Sequence, residues 1–142
     1  MTGPELRPDR VLGAGHDTFW AFCTRGELRL QRCRSCRHLS WPPVASGCEQ
    51  CSSTKLDWKR LSGRGFLISW CTFERDYYRD GGPIPWETIL VELEEGPVMV
   101  SNPHLFDLSA ARLGLPLQVA FVTCADRDGP FLLPVFERAA DA

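Results

Sequence analysis

Apolar and polar positions alternate along most of this chain with the short period of strands. Leu28 to Arg32 reads Leu, Arg, Leu, Gln, Arg, the period of two expected of a strand with one buried face. Leu56 and Trp58 resume that period and predict a return strand ending near Leu61. Gly63 and Gly65 flank Arg64 and interrupt it, a tight junction from Ser62 to Gly65. Beyond them Phe66 to Phe73 is rich in aromatic and β-branched residues, which predicts a strand. A polar loop follows from Glu74 to Pro83, then a strand from Trp86 to Leu93. Glu94, Glu95 and Gly96 turn the chain and Val98 to Val100 runs back, a hairpin. Phe106 to Leu113 predicts a helical turn ending at Gly114, Leu117 to Thr123 alternates again, and Phe131 to Phe136 makes a last strand after a turn over Asp126 to Pro130. Five strands with a short helix between the third and fourth fit a Greek-key barrel of the OB type, with an SH3-like barrel as the nearest competitor.

The N-terminal quarter follows another rule. Met1 to Gly15 holds Pro4, Pro8 and three glycines and reads as an extended or mobile lead-in. Asp17 is placed to cap a helix running to about Arg25, with Gly26 just past its end. Phe19, Trp20, Phe22 and Cys23 make that helix apolar nearly all round. Two such turns cannot all point into one small core, so the face either packs on its own domain or docks partly on another protein.

Composition narrows the class. Among 142 residues, 44% are hydrophobic and 24% charged, which excludes a disordered chain. No apolar stretch approaches the roughly 18 residues of a membrane span, and the first nine residues carry no leader-like apolar run. We expect a cytoplasmic protein that does not enter a membrane. The net charge of −2 is unevenly spread: Arg25 to Arg60 carries eight basic and three acidic residues, whereas Leu61 to Ala142 carries six basic and twelve acidic ones. The first block attracts phosphate and the second repels a polyanion.

Seven cysteines are many for a reducing compartment, where paired cysteines hold metal or do redox chemistry. Cys33 and Cys36 form one C-x2-C pair, Cys48 and Cys51 another, with eleven residues between. Each pair lets one tight turn aim two sulfurs at one ion, and two pairs complete a tetrahedral zinc site with no position open for substrate. One structural Zn2+ is therefore expected. Iron in a rubredoxin-like site and a pair of redox disulfides are the alternatives, and nothing in the chain suggests an electron-transfer partner. Arg32, Arg34 and Arg37 crowd the first pair and are expected to lower thiolate pKa; His38 reads as a solvated neighbour. Cys23, Cys71 and Cys124 stand alone, the latter two in apolar strands where a free thiol is a small core residue. No GxSxG, P-loop, GxGxxG or HExxH is present, and no set of base, nucleophile and oxyanion donor assembles, so no catalytic residue is assigned.

In order, these features resemble the family called domain of unknown function 35. The resemblance rests on Phe19-Trp20, Gly26-Glu27-Leu28, the two cysteine pairs around Pro42-Pro43, and Ser62-Gly63-Arg64-Gly65. It continues through Leu90 to Pro97, Leu113 to Leu117 and Pro134-Val135-Phe136, covering roughly Asp17 to Arg138. Departures are Arg37 where such ribbons often carry Gly, Val44 where they often carry Arg, and Glu49 where they often carry Pro. The resemblance implies a mainly β chain: lead-in and helix over 1–26, a rubredoxin-like zinc ribbon over 27–61, a five-stranded OB-fold barrel over 62–138 and a tail over 139–142. It further implies a non-catalytic accessory subunit of a thiolase-fold enzyme acting on acyl-CoA, with a lipid-transfer-protein-like retro-aldolase of steroid side-chain degradation as one case. Phe19, Trp20, Tyr77, Tyr78 and Trp86 are the candidate contacts to that partner or to CoA. The alternatives are an accessory subunit of a MaoC-type enoyl-CoA hydratase and an OB-fold module for single-stranded nucleic acid. The acidic second block argues against nucleic acid.

Overall fold

The computed structural model describes residues 4–75 and 85–140. In chain order its elements are β1 (Glu5–Leu6), α1 (His16–Thr24), β2 (Arg29–Cys33), β3 (Leu39–Ser40), β4 (Leu56–Arg60), β5 (Arg64–Phe73), β6 (Trp86–Leu93), β7 (Val98–Ser101), β8 (Pro116–Asp126) and β9 (Gly129–Arg138), with a 3-10 turn over Leu108–Ala110. The fold is mainly β, with one short helix, as expected. No helix among the described residues is long and apolar enough to cross a membrane.

Two sheets divide the strands. The first is three-stranded and antiparallel, in the order β3-β2-β4. The second runs β1-β8-β5-β6-β7, with β9 also on β8. Strand β5 pairs with both β6 and β8, which is the Greek-key step of an OB-fold. A bulge between Leu67 and Ser69 increases the curl of β5. The expected barrel is not closed by a ladder. Along the seam between β7 and β9 there is one parallel bridge, Pro103 to Phe136. Pro103 and Pro134 lack the N–H that a longer ladder needs, and the Ser101 hydroxyl donates to the Pro134 carbonyl at 3.0 Å instead.

Helix α1 begins two residues before the expected start. Gly15 with φ 83° is the N-cap, and the Asp17 carboxylate accepts from the Gly13 N–H at 3.0 Å rather than capping the helix. The other end is as read: Gly26 is left-handed at φ 72°, its N–H reaches Cys23 O and the Glu27 N–H reaches Phe22 O, a Schellman closure. Phe19 and Cys23 of α1 and Leu28 and Leu30 beside and within β2 join Leu67, Ile89, Val91, Met99, Leu117 and Phe136 in one core. The helix and the base of the small sheet are thus sealed onto the barrel by shared apolar burial.

The junction is drawn tight by glycine. Gly63 adopts φ 80°, and a Cβ there would lie 2.5 Å from Val119 Cγ1. At Gly65 a Cβ would lie 2.6 Å from Val91 Cγ1 and 2.7 Å from the Glu92 carbonyl. The lead-in is more ordered than its composition suggests. Strand β1 pairs in parallel with β8, Glu5 opposite Cys124 and Leu6 opposite Ala125. Arg10 grips Asp126 through Nε at 2.7 Å, Nη2 at 3.2 Å and its backbone N–H at 3.0 Å. This contact depresses the Asp126 carboxyl to about 2. Cys23 and Cys124 are buried, but Cys71, expected in the core, is exposed. Its strand runs past the edge of the core there, opposite Thr88 of β6.

Candidate metal centre

The two cysteine pairs sit on two similar turns. The first leaves β2 at Cys33 and the second lies in the connection between β3 and β4. In the first, the N–H groups of Ser35 and Cys36 point at Cys33 Sγ, at 3.3 and 3.4 Å, and the Arg37 N–H returns to Cys33 O at 2.9 Å. In the second, the Gln50 N–H points at Cys48 Sγ at 3.3 Å and the Ser52 N–H returns to Cys48 O at 2.8 Å. Each turn ends on a left-handed residue, Arg37 at φ 67° and Ser52 at φ 65°. That geometry explains why glycine suits the position held by Arg37, where a side chain is tolerated at a small cost in backbone energy.

The four sulfurs lie within 4.8 Å of one another, with Cys33 to Cys51 at 3.5 Å and Cys36 to Cys48 at 3.6 Å. A tetrahedron with zinc–sulfur bonds of 2.3 Å has edges of about 3.8 Å, so this cluster has the size and donor set for one zinc ion. Its protonation chemistry agrees. The Cys36 and Ser35 N–H groups hold the Cys33 thiol down at about 6. For Cys36 the His38 N–H favours the thiolate, but burial and the neighbouring sulfurs push it up to about 12. Four thiols this close cannot all ionise beside one another without a cation between them.

The surrounding charges do other work than expected. Arg32 and Arg34 turn to Asp57, at 3.3 and 3.7 Å, and backbone N–H groups rather than arginines lower the Cys33 thiol. His38 is not simply solvated: its Nε2 lies 2.9 Å from Glu49 Oε1 and ties the first turn to the second. Glu49 stands where the resembled family often has proline, so this chain replaces stiffness with a polar cross-link. Gln31, buried in β2, exchanges both amide groups with the Val44 backbone, at 3.0 and 2.6 Å, and anchors the loop between the turns. Neither residue carries a local signal in the sequence, since both partners lie more than ten positions away.

The candidate partner contacts are scattered. Phe19 is 4% exposed, inside the shared core. Trp20 is half-buried against Phe131, ring centroids 5.4 Å apart, and its indole N–H donates to Val11 O at 3.2 Å. Trp86 lies beneath the Arg7 guanidinium, 4.2 Å from its ring. Tyr77 and Tyr78 lie outside the described residues. Among the described residues, the four cysteines are the cluster of three or more His, Cys, Asp or Glu that converges on one point.

Residues 20–57 match the family model described as ChsH2, rubredoxin-like zinc ribbon domain, and residues 58–122 the one described as ChsH2, C-terminal OB-fold domain. The chain is similar to a probable enoyl-CoA hydratase alpha subunit of Thermomonospora curvata, 26% identical over 94% of this chain and 40% of that protein. It is also similar to a 3-oxo-4,17-pregnadiene-20-carboxyl-CoA hydratase alpha subunit of Mycobacterium tuberculosis, 30% identical over 86% of this chain and 40% of that protein. The chain therefore spans about two-fifths of the curated relatives it matches. Among solved structures, a chain of an Ltp2-ChsH2(DUF35) aldolase superposes with TM-score 0.80 at 24% identity, covering 93% of this chain and 100% of that one. A DUF35 protein of unknown function from Sulfolobus solfataricus superposes with TM-score 0.53 at 13% identity, covering 72% of this chain and 75% of that one.

Proposed function

The chain belongs to the ChsH2 zinc-ribbon and OB-fold family, and on that premise we propose that it is a non-catalytic, zinc-braced accessory subunit of a thiolase-fold enzyme acting on acyl-CoA. The observation that carries this reading is the extent of the likeness to the ChsH2(DUF35) chain of an aldolase. It takes in all of that chain and 93% of this one, which supports reading these residues as the fold of one such subunit. A closed sulfur site supports it, because four thiolates leave zinc no position for water or substrate. In this reading Cys33, Cys36, Cys48 and Cys51 hold the ion, and the ion fixes the two turns. The partner carries the reacting groups, and retro-aldol cleavage of a steroid side-chain thioester is the specific reaction we propose. The basic ribbon, with Arg34 and Arg60 largely exposed, faces the CoA phosphates.

A second reading is favoured by the names of the curated relatives: the same module serves an enoyl-CoA hydratase of the MaoC type. The test is co-expression of the full chain with any thiolase-fold protein encoded beside it and, separately, with any hydratase-fold neighbour. We expect a stable heteromer with the first, with acyl-CoA cleavage that neither subunit shows alone. Turnover by the lone chain would contradict the proposal, and a heteromer with the hydratase alone would replace it with the second reading.

A further inference from the structure

The outward side of β5, β6 and β7 does not look like a wet sheet face. An antiparallel sheet with one solvated side alternates apolar-in and polar-out. Here Met99 is buried, yet its neighbours Val98 and Val100 are 42% and 47% exposed. Phe66 is 46% exposed beside buried Leu67, and Leu90 faces outward between buried Ile89 and Val91. These strands carry apolar residues on both sides, the pattern of a sheet covered twice.

Register gathers the outward residues into a plane. Phe66, Glu92 and Val98 form one cross-strand row, and Ser69, Leu90 and Val100 form the next. The bulge between Leu67 and Ser69 is what keeps Phe66 and Ser69 on the same side. Phe66 also borders a groove of about 430 Å³ that runs past Arg64, Glu94, Pro116 and Gln118. An apolar face beside a concavity offers an anchor point for a protruding side chain.

Charge decides what fits there. Glu92 is exposed in the middle of the plane and makes no ion pair among the described residues. Covering it with an apolar surface would bury an unpaired carboxylate, which is costly. A second copy related by a two-fold axis would bring another barrel of net negative charge against it, and the cation it offers beside the groove, Arg64, lies there together with Glu94. A polyanion or an anionic bilayer is repelled for the same reason. We infer that this face receives the thiolase-fold subunit, through a patch with an apolar centre and a lysine or arginine opposite Glu92. The inference rests on the function proposed above and adds the surface and its chemistry.

The test is the affinity of the full-length, zinc-loaded chain for the thiolase-fold subunit as a function of salt. Wild type is expected to bind, and more weakly as salt rises. Glu92→Lys and Val100→Lys are each expected to weaken binding at least tenfold. Glu92→Gln is expected to weaken it less while flattening the salt dependence, which a merely structural role would not do. Leu12→Lys, an exposed apolar position on the lead-in, is the control and should bind as wild type. Zinc content and melting temperature establish that each variant folds; should Val100→Lys fail to fold, the two Glu92 variants decide alone. Wild-type binding unchanged by the Glu92 and Val100 variants overturns the inference and leaves the proposed function standing. No binding by wild type overturns the proposed function, and this inference with it. A dimer of the lone chain in sedimentation that Val100→Lys dissolves makes the face a contact between copies and overturns the inference.

Discussion

The ribbon tip and the barrel are held by different forces. Around the two cysteine turns the buried side chains are Cys33, Cys48, Gln31 and Ser40, with no aliphatic residue among them. The aliphatic side chains of the ribbon that are buried, Leu30 and the flanking Leu28 and Leu61, belong to the core shared with the barrel. The barrel instead buries Leu67, Ile89, Val91, Leu93, Met99, Leu117 and Phe136 and pairs β8 with β9 over ten registered residues. A segment as short as the tip cannot bury enough surface to fold by itself, so its order must come from four sulfurs and an ion. One chain thus joins a metal-dependent part and a burial-dependent part through a shared base and a glycine junction.

The sharpest way to separate the two is to remove a sulfur. Cys48→Ser should abolish stoichiometric zinc in elemental analysis, forfeiting most of the roughly 10 kcal/mol or more that binding of a structural zinc supplies. The far-ultraviolet signature of the barrel should persist. The converse change is Phe136→Ala, fully buried in the barrel. It should cost about 3–5 kcal/mol in urea unfolding while the folded fraction still carries one zinc per chain. The joint itself is probed by Gly63→Ala, where a left-handed φ of 80° and a methyl 2.5 Å from Val119 Cγ1 both oppose the substitution. We expect a loss of about 1–3 kcal/mol, read in the same urea titration.

The smallest effect concerns the lead-in strand. Hydrogen bonds from Arg10 lower the Asp126 carboxyl to about 2 in the folded chain. Because the folded value lies below the unfolded one, this pair stabilises the protein fully above about pH 4, the ordinary aspartate range. Its contribution fades as the pH falls towards 2. Arg10→Met should return Asp126 towards its ordinary value in an NMR titration, and should flatten the acid limb of stability without affecting zinc content.

The sequence announces the two parts unequally. The zinc cluster is legible because its chemistry is local: two residues between cysteines suffice to place two sulfurs. Strands β6 and β9 are legible because each alternates or concentrates apolar residues over six or more positions. What escapes is contact between distant residues. Strand β1 is two residues long and owes its existence to Cys124 and Ala125, far along the chain. The His38–Glu49 cross-link and the Arg10–Asp126 clamp likewise leave no periodic trace. The same limit explains Cys71, where an apolar strand does not reveal how far the core beneath it extends. It explains Phe19 and Trp20 as well: an all-round apolar helix says that both sides are wanted, but the barrel, visible only in three dimensions, takes Phe19 and half of Trp20.

Hydrogen exchange of the native chain before and after chelation tests the division most directly. The expected result is loss of protection in the cysteine turns, residues 33–38 and 48–53, with β6 and β8 unchanged. Protection unchanged everywhere would mean that the four sulfurs hold nothing that matters, and protection lost throughout would mean that ribbon and barrel are one unit; either would contradict the account.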